Sequence, residues 1–326
     1  MTTTGDHGNS AEAKASCCSP SLLRDGGLRT ESAVVTPPSR GAERHAIEQA
    51  AVPAQYFLMG DSTDAGNPGD GEGPAHEVWV DAFQIDATTV TNSAFARFVA
   101  ESGYRTEAET FGYSAVFHLA LAADPEDVLG QPPQIPWWLG VRGADWQHPG
   151  GPLSTLDGRG EHPAVHVSWS DAAAYCVWAG RRLPTEAEWE CASRGGLRGK
   201  VFPWGNDWGD RFRCNTWQGV FPTLNTVDDG WLTTAPVREY SPNPYGLWQS
   251  VGNVWEWCSD WWDEDYYAQS PVRNPTGPRD GAQRAMRGGS FLCHDSYCNR
   301  YRNSARASNT PDSSAANIGF RTVGMM

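Results

Sequence analysis

The sequence lacks the signals of membrane insertion and of secretion. No run of residues approaches the roughly 20 apolar residues that span a bilayer. The start of the chain, MTTTGDHGNSAEAKASCCSP, has neither the basic region nor the apolar region of a secretory signal. These absences predict a cytoplasmic protein without a membrane partner. In that reducing compartment the eight cysteines are expected to be thiols, metal ligands or catalytic groups, because disulfide frameworks need oxidising conditions.

Basic residues are also scarce. The chain has 25 Lys and Arg against 39 Asp and Glu, which gives a net charge of −14. A general nucleic-acid binder needs a basic surface for the phosphates, so nucleic acid is not expected as a partner. The sequence has no repeat of fixed period, which argues against solenoids and propellers.

Glycine and proline, by contrast, are abundant, with 35 and 23 residues in a chain of 326. Both residue types break helices and their clusters mark turns, so a helix-poor and loop-rich chain is expected. The 16 tryptophans suit the core of such a fold or a peptide-binding groove, and we assign most of them to the core.

The composition changes along the chain. Residues 1–52 are rich in small and polar residues with little apolar periodicity, which predicts a disordered tail. Folded sequence is expected from residue 53 onward, beginning with the apolar run AQYFLMGD. The stretch HEVWVDAFQID at residues 76–86 alternates as a half-buried strand does. Beyond Gly195, many Trp, Gly, Pro and Asn residues predict short strands and long ordered loops.

Three helices are predicted, because cap residues flank apolar residues at helical spacing. Two of them have these predicted bounds: Thr91 to Gly103 and Ser170 to Gly180. The third begins with a capping box formed by Thr185 and Glu188.

The segment GGSFLCHDSYCNRYR, residues 288–302, holds two cysteines five positions apart. Cys293 and Cys298 would lie about 140° apart around a helix and on opposite faces of a strand. If the two thiols converge, the segment is therefore an irregular loop, which Gly288 and Gly289 would permit.

Several roles are open for this cysteine pair on spacing alone. A zinc site would be incomplete even with His294 as a third ligand. A disulfide would close a very small loop in a reducing compartment. Two thiolates without harder ligands suit Cu(I), and a redox thiol pair is the close competitor. Two buried bystander thiols are an equal alternative.

A second group of residues is rich in oxygen ligands. The stretch CNTWQGVFPTLNTVDDGW contains Asn215 and two adjacent aspartates, and the stretch WQSVGNVWE adds Gln249 and Glu256. Hard oxygen ligands from loops suit Ca²⁺, although the same stretches could be ordinary acidic turns. Structural roles are assigned to the remaining thiols and to a histidine pair: Cys191, Cys214 and Cys258, and His162 and His166.

Residues 288–321, GGSFLCHDSYCNRYRNSARASNTPDSSAANIGFR, closely resemble the active-site region of formylglycine-generating enzymes, the sulfatase-modifying oxidases. The resemblance continues upstream through NTWQG, GNVWEWCSDWW, AGRRLPTEAEWE and HPAVHVSW, in family order, and covers residues 54–322. It implies a single compact α+β domain over residues 53–326, low in regular secondary structure and related to C-type-lectin-like folds. It also implies oxidation of a Cys in a C-x-P-x-R motif of an unfolded sulfatase to Cα-formylglycine, with O2 and a thiol reductant.

The resemblance places the family's functional residues at matching positions of this chain. The copper-binding, oxygen-activating cysteines match Cys293 and Cys298, and the active-site serine matches Ser290. The substrate groove matches five further positions: Trp255, His294, Tyr297, Arg306 and Asn317. Two calcium ions are implied, the first at Asn215, Thr216, Asp229 and Trp231, and the second at Gln249, Gly252, Val254 and Glu256.

This chain departs from the family pattern at several positions. Members commonly carry Asn where this chain has Gln249, which alters the second calcium site. Many relatives have Cys directly after GFR, and secreted ones bridge it to a partner matching Cys176. Here the residue is Thr322, so Cys176 is expected to stay a thiol. The positions of a second bridge match Ser193 and Asn303.

The alternatives to the oxidase are separated by sequence features. A lectin-like binding module of the same fold would lack oxidase activity, and the presence of both cysteines favours the oxidase. An iron-dependent sulfoxide synthase would need an additional helical domain, for which residues 1–52 leave no room. The tail sequence CSPS at Cys18 begins like C-x-P-x-R, but Leu22 replaces the arginine, so self-modification is not expected. A protein that clasps an unfolded peptide is expected to be a monomer.

Overall fold

The computed structural model of the protein describes Pro20 and residues 44–325. Of the predicted tail, residues 1–19 and 21–43, which include Cys18 and the other residues of the CSPS motif apart from Pro20, lie outside the described residues. Within them, no helix combines the length and the apolar character needed to cross a bilayer.

Regular structure is sparse and made of short elements, as the glycine and proline content predicts. The strands of the described chain are β1 Gln49–Val52, β2 Gln55–Met59, β3 His76–Val80, β4 Phe83–Asp86, β5 Tyr113–Phe117, β6 Val128–Gly130, β7 Trp138–Arg142, β8 Arg181–Arg182, β9 Gly219–Val220, β10 Leu224–Asn225, β11 Trp255–Trp261, β12 Arg284–Arg287, β13 Arg306–Asn309, β14 Ile318–Gly319 and β15 Val323–Gly324. The α-helices are α1 Asn92–Ser102, α2 Glu107–Phe111, α3 Trp169–Ala179 and α4 Glu186–Arg194. Short 3-10 helices lie at His118–Ala120, Pro125–Asp127 and Tyr266–Gln269. The fold is a single compact α+β domain.

Helix α1 begins and ends at its predicted caps, and α4 begins at its predicted cap. The hydroxyl of Thr91 accepts a backbone N–H at the start of α1, and Gly103 ends that helix with a φ of +66°. Thr185 and Glu188 form the predicted capping box of α4. Local sequence is therefore sufficient to define these two helices.

The predicted start of α3 is wrong by two residues. Ser168 is the N-cap, not Ser170, because Asp171 completes a capping box with Ser168. A further capping box, formed by Thr106 and Glu109, begins the short helix α2, which the sequence analysis did not predict.

Strand β1 corrects the predicted boundary of the tail, which left residues 49–52 outside the folded domain. β1 pairs antiparallel with β4 along its whole length, and two of its residues are buried. The single strand predicted over residues 76–86 is also two strands. β3 pairs with β2, whereas β4 lies between β1 and β15 in another sheet.

The cysteine-bearing segment is positioned by the sheet of strand order β13-β12-β11-β14. Arg287 of β12 is opposite Arg306 of β13 and Glu256 of β11, and Glu256 is also opposite Gly319 of β14. These four residues therefore lie at one end of the sheet. The segment with both cysteines leaves and re-enters the sheet at this end, and the connection from β13 to β14 arrives there.

The core contains much of the aromatic content. Every tryptophan is buried or partly buried, which confirms the assignment of most of them to the core. One hydrophobic cluster holds Trp217, Trp255 and Trp257 together with Cys293 and Cys298. The cysteine pair therefore lies against the aromatic core rather than on an open surface.

Candidate active site

The segment at residues 288–302 is an irregular loop, as the cysteine spacing predicts. It contains turns but no strand or helix. Gly288 and Gly289 have φ values of +95° and +73°, in the region that favours glycine. A Cβ on Gly289 would clash with the carbonyl oxygen of Arg300 and lie 3.1 Å from Sγ of Cys293. Glycine is therefore required where the loop folds back on itself.

The two cysteines are held by successive turns of this loop. The N–H of Cys293 donates to the carbonyl of Ser290, and that of Cys298 donates to the carbonyl of His294, both at 2.9 Å. Both side chains are present as thiols, with exposures of 0% and 2%. The N–H of Ser290 lies 3.4 Å from Sγ of Cys293 and donates to it. A donor aimed at sulfur stabilises the thiolate, which is the form that binds metals.

Ser290 is fixed from two directions. Its hydroxyl oxygen accepts the side-chain amide of Asn317 at 3.0 Å and the N–H of Leu292 at 3.3 Å. The carbonyl of Asn317 in turn accepts the N–H of Trp255 at 2.8 Å. Three residues that the sequence analysis assigned to the site are thus linked by consecutive hydrogen bonds, and the link runs through the connection from β13 to β14.

Aromatic rings line the partly exposed side of the loop. Tyr297 stacks on Phe221 with ring centres 4.3 Å apart, and it meets Trp137 edge-on at 5.3 Å. His294 is 23% exposed, and its Nδ1 lies 2.7 Å from the hydroxyl of Ser296. The sequence analysis missed Phe221 and Trp137, because they are more than 75 residues away in sequence with no motif of their own. Such rings suit an extended peptide.

Arg306, which the resemblance assigns to the substrate groove, is buried in the core. Its guanidinium forms two hydrogen bonds with the carboxylate of Glu186, at 2.9 and 2.8 Å, and it also donates to the carbonyls of Gly71 and Asp263. The side chain is fully buried. Burial and these four hydrogen bonds favour a structural role for Arg306, and its assignment to the substrate groove stays a prediction.

The predicted first calcium site holds an unsatisfied oxygen. Asn215 is fully buried, and its Oδ1 has no hydrogen-bond partner among the described residues. The nearby carboxylate of Asp229 accepts the N–H of Trp231 and the hydroxyl of Tyr240, each at 3.0 Å. The carbonyl of Thr216 accepts the side-chain amide of Gln218. Buried oxygens with spare acceptor capacity fit a hard cation.

The predicted second calcium site offers fewer free oxygen ligands than the first. The Oε1 of Gln249 is buried and also lacks a hydrogen-bond partner within the described range. Glu256 is already engaged: its carboxylate accepts from Arg321 at 2.6 and 2.7 Å and from Trp189 at 2.7 Å. A Cβ on Gly252 would lie 2.5 Å from the carbonyl oxygen of Asn215, so the two predicted sites adjoin.

The side chains of the described residues form no metal site made only of charged or soft ligands. In the described part of the chain, no group of three or more His, Cys, Asp or Glu side chains is arranged to hold a metal ion. The cysteine pair supplies two soft ligands, and the calcium positions supply amide, carbonyl and single carboxylate oxygens.

The remaining thiols and histidines fit their structural assignments. Four thiols are buried and free: Cys176, Cys191, Cys214 and Cys258. His166 is fully buried; its Nε2 is 2.9 Å from the carbonyl of Pro149 and its Nδ1 is 2.8 Å from the hydroxyl of Ser114. Burial lowers the pKa of His166 to about 4, so the ring is neutral.

Comparison with known proteins places the whole folded region in one family. Residues 37–326 match the family model described as a sulfatase-modifying factor enzyme 1-like domain. The chain is 56% identical over 292 residues to the formylglycine-generating enzyme of Streptomyces coelicolor, covering 89% of this chain and 93% of that protein. It is 52% identical over 273 residues to the formylglycine-generating enzyme of Bos taurus, covering 83% and 72%.

Two further comparisons are with a relative that is named inactive and with a solved structure of low sequence identity. The chain is 44% identical over 282 residues to a Mus musculus protein named inactive C-alpha-formylglycine-generating enzyme 2, covering 85% of this chain and 86% of that protein. Among solved structures, PvdO from Pseudomonas aeruginosa matches with a TM-score of 0.64 at 22% identity, covering 91% of this chain and 100% of that one. The likeness to PvdO shows a shared fold.

Proposed function

Since the chain belongs to the sulfatase-modifying factor family, which includes formylglycine-generating enzymes, we propose that it oxidises a cysteine in a C-x-P-x-R motif of unfolded sulfatases to Cα-formylglycine. The observation that carries the proposal is the buried pair of thiols, Cys293 and Cys298, on a loop whose Ser290 is held by Asn317. A binding module would not require either thiol for its activity, whereas the oxidase requires both.

The reaction consumes O2 and two equivalents of a thiol reductant. The thiol-bearing carbon of the substrate cysteine, O2 and two reductant thiols give the aldehyde, hydrogen sulfide, water and one disulfide, which balances atoms and electrons. The substrate carbon is oxidised, and O2 is reduced by electrons from that carbon and from the two thiols. Burial of the cysteine pair excludes bulk water from this chemistry.

Cysteines 293 and 298 would hold Cu(I), because two soft thiolates suit that ion and the N–H of Ser290 already stabilises charge on Sγ of Cys293. The bound ion would supply the reactivity toward O2 that side chains lack. Ser290 presents a fixed hydroxyl beside this pair. The rings of Tyr297, Phe221 and Trp137 would orient the substrate peptide.

Calcium would serve as a structural cofactor. The unsatisfied oxygens of Asn215 and Gln249 support it, since each buried acceptor without a partner costs about 1–3 kcal/mol unless a cation fills the site. The partner would be an unfolded sulfatase chain met in the cytoplasm by a monomeric enzyme, with neither nucleic acid nor membrane involved.

The alternative is a binding module without oxidase activity. It is supported by the 44% identity of this chain to a relative that is named inactive. The test is mass spectrometry of a C-x-P-x-R peptide incubated with the protein, Cu(I), a thiol and O2. A loss of about 18 Da, for conversion of the thiol-bearing carbon to an aldehyde, supports the oxidase. A peptide with Ser in place of Cys is the control. An unchanged Cys peptide, with copper shown to be bound, would favour the binding module.

A further inference from the structure

The loop between β2 and β3, residues 60–75, packs against the second half of the cysteine segment. Asn67 precedes Cys298 by 231 positions, and its side-chain amide donates to the carbonyl of Cys298 at 2.9 Å. The side-chain amide of Asn299 donates to the carbonyl of Ala65 at 3.3 Å. The β2–β3 loop is thus hydrogen-bonded to the main chain of one of the two cysteines of the candidate site.

Two ion pairs extend this contact along the chain. The guanidinium of Arg300 donates to both carboxylate oxygens of Asp70, at 2.6 and 2.9 Å. Arg302 donates to both carboxylate oxygens of Glu72, each at 2.6 Å. These four side chains are at most 15% exposed, and pairs with two parallel hydrogen bonds fix orientation as well as distance. The backbone from Cys298 onward is therefore held by the β2–β3 loop.

Cys293 is held by other parts of the fold. Its carbonyl accepts the N–H of Trp217 at 3.1 Å, and the N–H of Phe291 donates to the carbonyl of Asn253 at 2.9 Å. These contacts come from the segments that precede β9 and β11, not from the β2–β3 loop. The two thiols are thus positioned by different segments, so the distance between them depends on how the β2–β3 loop packs against the residues from Cys298 onward.

We infer that Asn67 and Asp70 of the β2–β3 loop are positioning residues, which place the thiol of Cys298 so that it binds one soft ion jointly with Cys293. The inference rests on the proposed function for the identity of that ion, Cu(I). Asn67 acts on the carbonyl of Cys298, and Asp70 acts through Arg300. Residues that orient metal ligands in this way contribute about 10- to 100-fold to metal affinity.

The first experiment measures the affinity for Cu(I) by anaerobic competition with a coloured Cu(I) chelator. All proteins are full-length and carry Ser in place of Cys17 and Cys18, because these adjacent thiols would also bind the ion. In Asn67→Ala/Asp70→Asn we expect the Kd for Cu(I) to rise about 10- to 100-fold. The matched control, Ser62→Ala/Asp64→Asn, makes similar changes at exposed residues of the same loop and should keep the Kd of the parent protein. Equal Kd values for all three proteins would overturn the inference.

The second experiment separates positioning of Cys298 from a general loss of structure. In a Cys298→Ser background the thiol that the loop positions is already absent. Asn67→Ala/Asp70→Asn should therefore change the Kd for Cu(I) by less than about twofold in that background, because the two sets of substitutions affect the same ligand. A rise in Kd of the same size with and without Cys298 would show that the loop acts on the fold as a whole, and would overturn the inference.

A probe other than copper distinguishes failure of this inference from failure of the proposed function. Phenylarsine oxide binds two neighbouring thiols jointly, so its affinity reports whether the thiols converge. We expect Asn67→Ala/Asp70→Asn and Cys298→Ser each to bind it about 10- to 100-fold more weakly than the parent protein does. If this result holds while no peptide is oxidised, the proposed function fails and the inference stands. If the double variant binds the arsenical and oxidises the peptide as the parent does, the inference fails and the proposed function stands.

Discussion

The hydroxyl of Ser193 donates a 2.8 Å hydrogen bond to the side-chain oxygen of Asn303, and both residues are fully buried. The bond joins the end of α4 to the segment that leads into β13. The resemblance described in the sequence analysis matches these two positions to a second disulfide of the family; in this chain a hydrogen bond joins them. The same hydroxyl lies 3.0 Å from that of Ser250, which extends the contact to a third segment.

Restoring the cross-link should stabilise the protein. In the Ser193→Cys/Asn303→Cys variant we expect a disulfide under oxidising conditions, and a gain of up to about 4–5 kcal/mol in the free energy of unfolding, because the bridge closes a loop of about 110 residues. Denaturant unfolding with and without a reductant measures the gain. Ser193→Ala/Asn303→Ala is the control for the lost hydrogen bond. A double cysteine variant that stays reduced under oxidant would show that the two positions do not meet bridge geometry.

The cysteine pair should be needed for catalysis but not for folding. Cys293→Ser and Cys298→Ser are each expected to lower peptide oxidation at least about 100-fold, because a two-thiolate site loses half of its soft ligands. Circular dichroism should be unchanged. Cys191→Ala is the matched control, since burial raises the pKa of Cys191 to about 12 and the thiol lies outside the loop. Loss of fold in both serine variants would assign the pair a structural role.

Arg306 should matter for stability rather than for substrate binding. Arg306→Met is expected to destabilise the protein by about 3–5 kcal/mol, because it leaves the carboxylate of Glu186 buried with less compensation. The KM of the folded variant for the peptide should change by less than about twofold. The double variant Glu186→Gln/Arg306→Met should be less destabilised than the sum of the single variants. A large rise in KM with unchanged stability would instead show that Arg306 binds the substrate.

Substitutions at position 249 should change the stability of the protein through both backbone strain and calcium binding. Gln249 has a φ of +43°, a conformation that Asn tolerates better than Gln. Gln249→Asn is therefore expected to raise the free energy of unfolding by about 0.5–1 kcal/mol in EDTA and to keep the gain on adding Ca²⁺. Gln249→Ala, which removes the oxygen, should show a smaller gain on adding Ca²⁺. Equal calcium responses for wild type and Gln249→Ala, measured by thermal unfolding, would remove this side chain from the site.

His166 should make the protein sensitive to acid. Burial holds its pKa at about 4 in the folded state, against 6.5 for an ordinary histidine. Between these values the unfolded chain binds a proton that the folded chain does not, so stability is full above pH 6.5 and falls as the pH drops toward 4. The loss is up to about 3 kcal/mol. In His166→Asn the free energy of unfolding should fall less steeply between pH 6.5 and 4, and parallel curves for the two proteins would contradict this.

Local features were predictable from the sequence because their causes lie a few residues apart. The hydroxyl of Thr91, the capping box of Thr185 and Glu188, and the backbone freedom of Gly103 each act within one turn of helix. The irregular cysteine loop was predictable on the condition that the two thiols converge, since neither a helix nor a strand brings residues five positions apart together.

Features that depend on distant segments were not predictable. The ion pair of Arg306 with Glu186 could not be predicted from the sequence motif, because the two residues are 120 positions apart and only the fold brings them together. No spacing in the sequence predicts a ring contact such as that of Tyr297 with Phe221. The split of residues 76–86 between two sheets depends on which strands flank each half, and strand preference is set by such neighbours.

The pairing of Glu256 with Arg321 has a consequence for how the molecule is made. The carboxylate and the guanidinium that neutralises it are 65 positions apart, and β4 gains β15 as its neighbour only once residues 323–324 are available. While a ribosome still holds those residues in its exit tunnel, the nascent chain contains a core carboxylate without its cation and a sheet without its inner strand. Folding of this domain therefore cannot be completed until residues 321–324 have left the exit tunnel. A message that stops near codon 320 would yield a chain with an uncompensated charge at its centre. Cellular proteases can recognise and degrade such a chain.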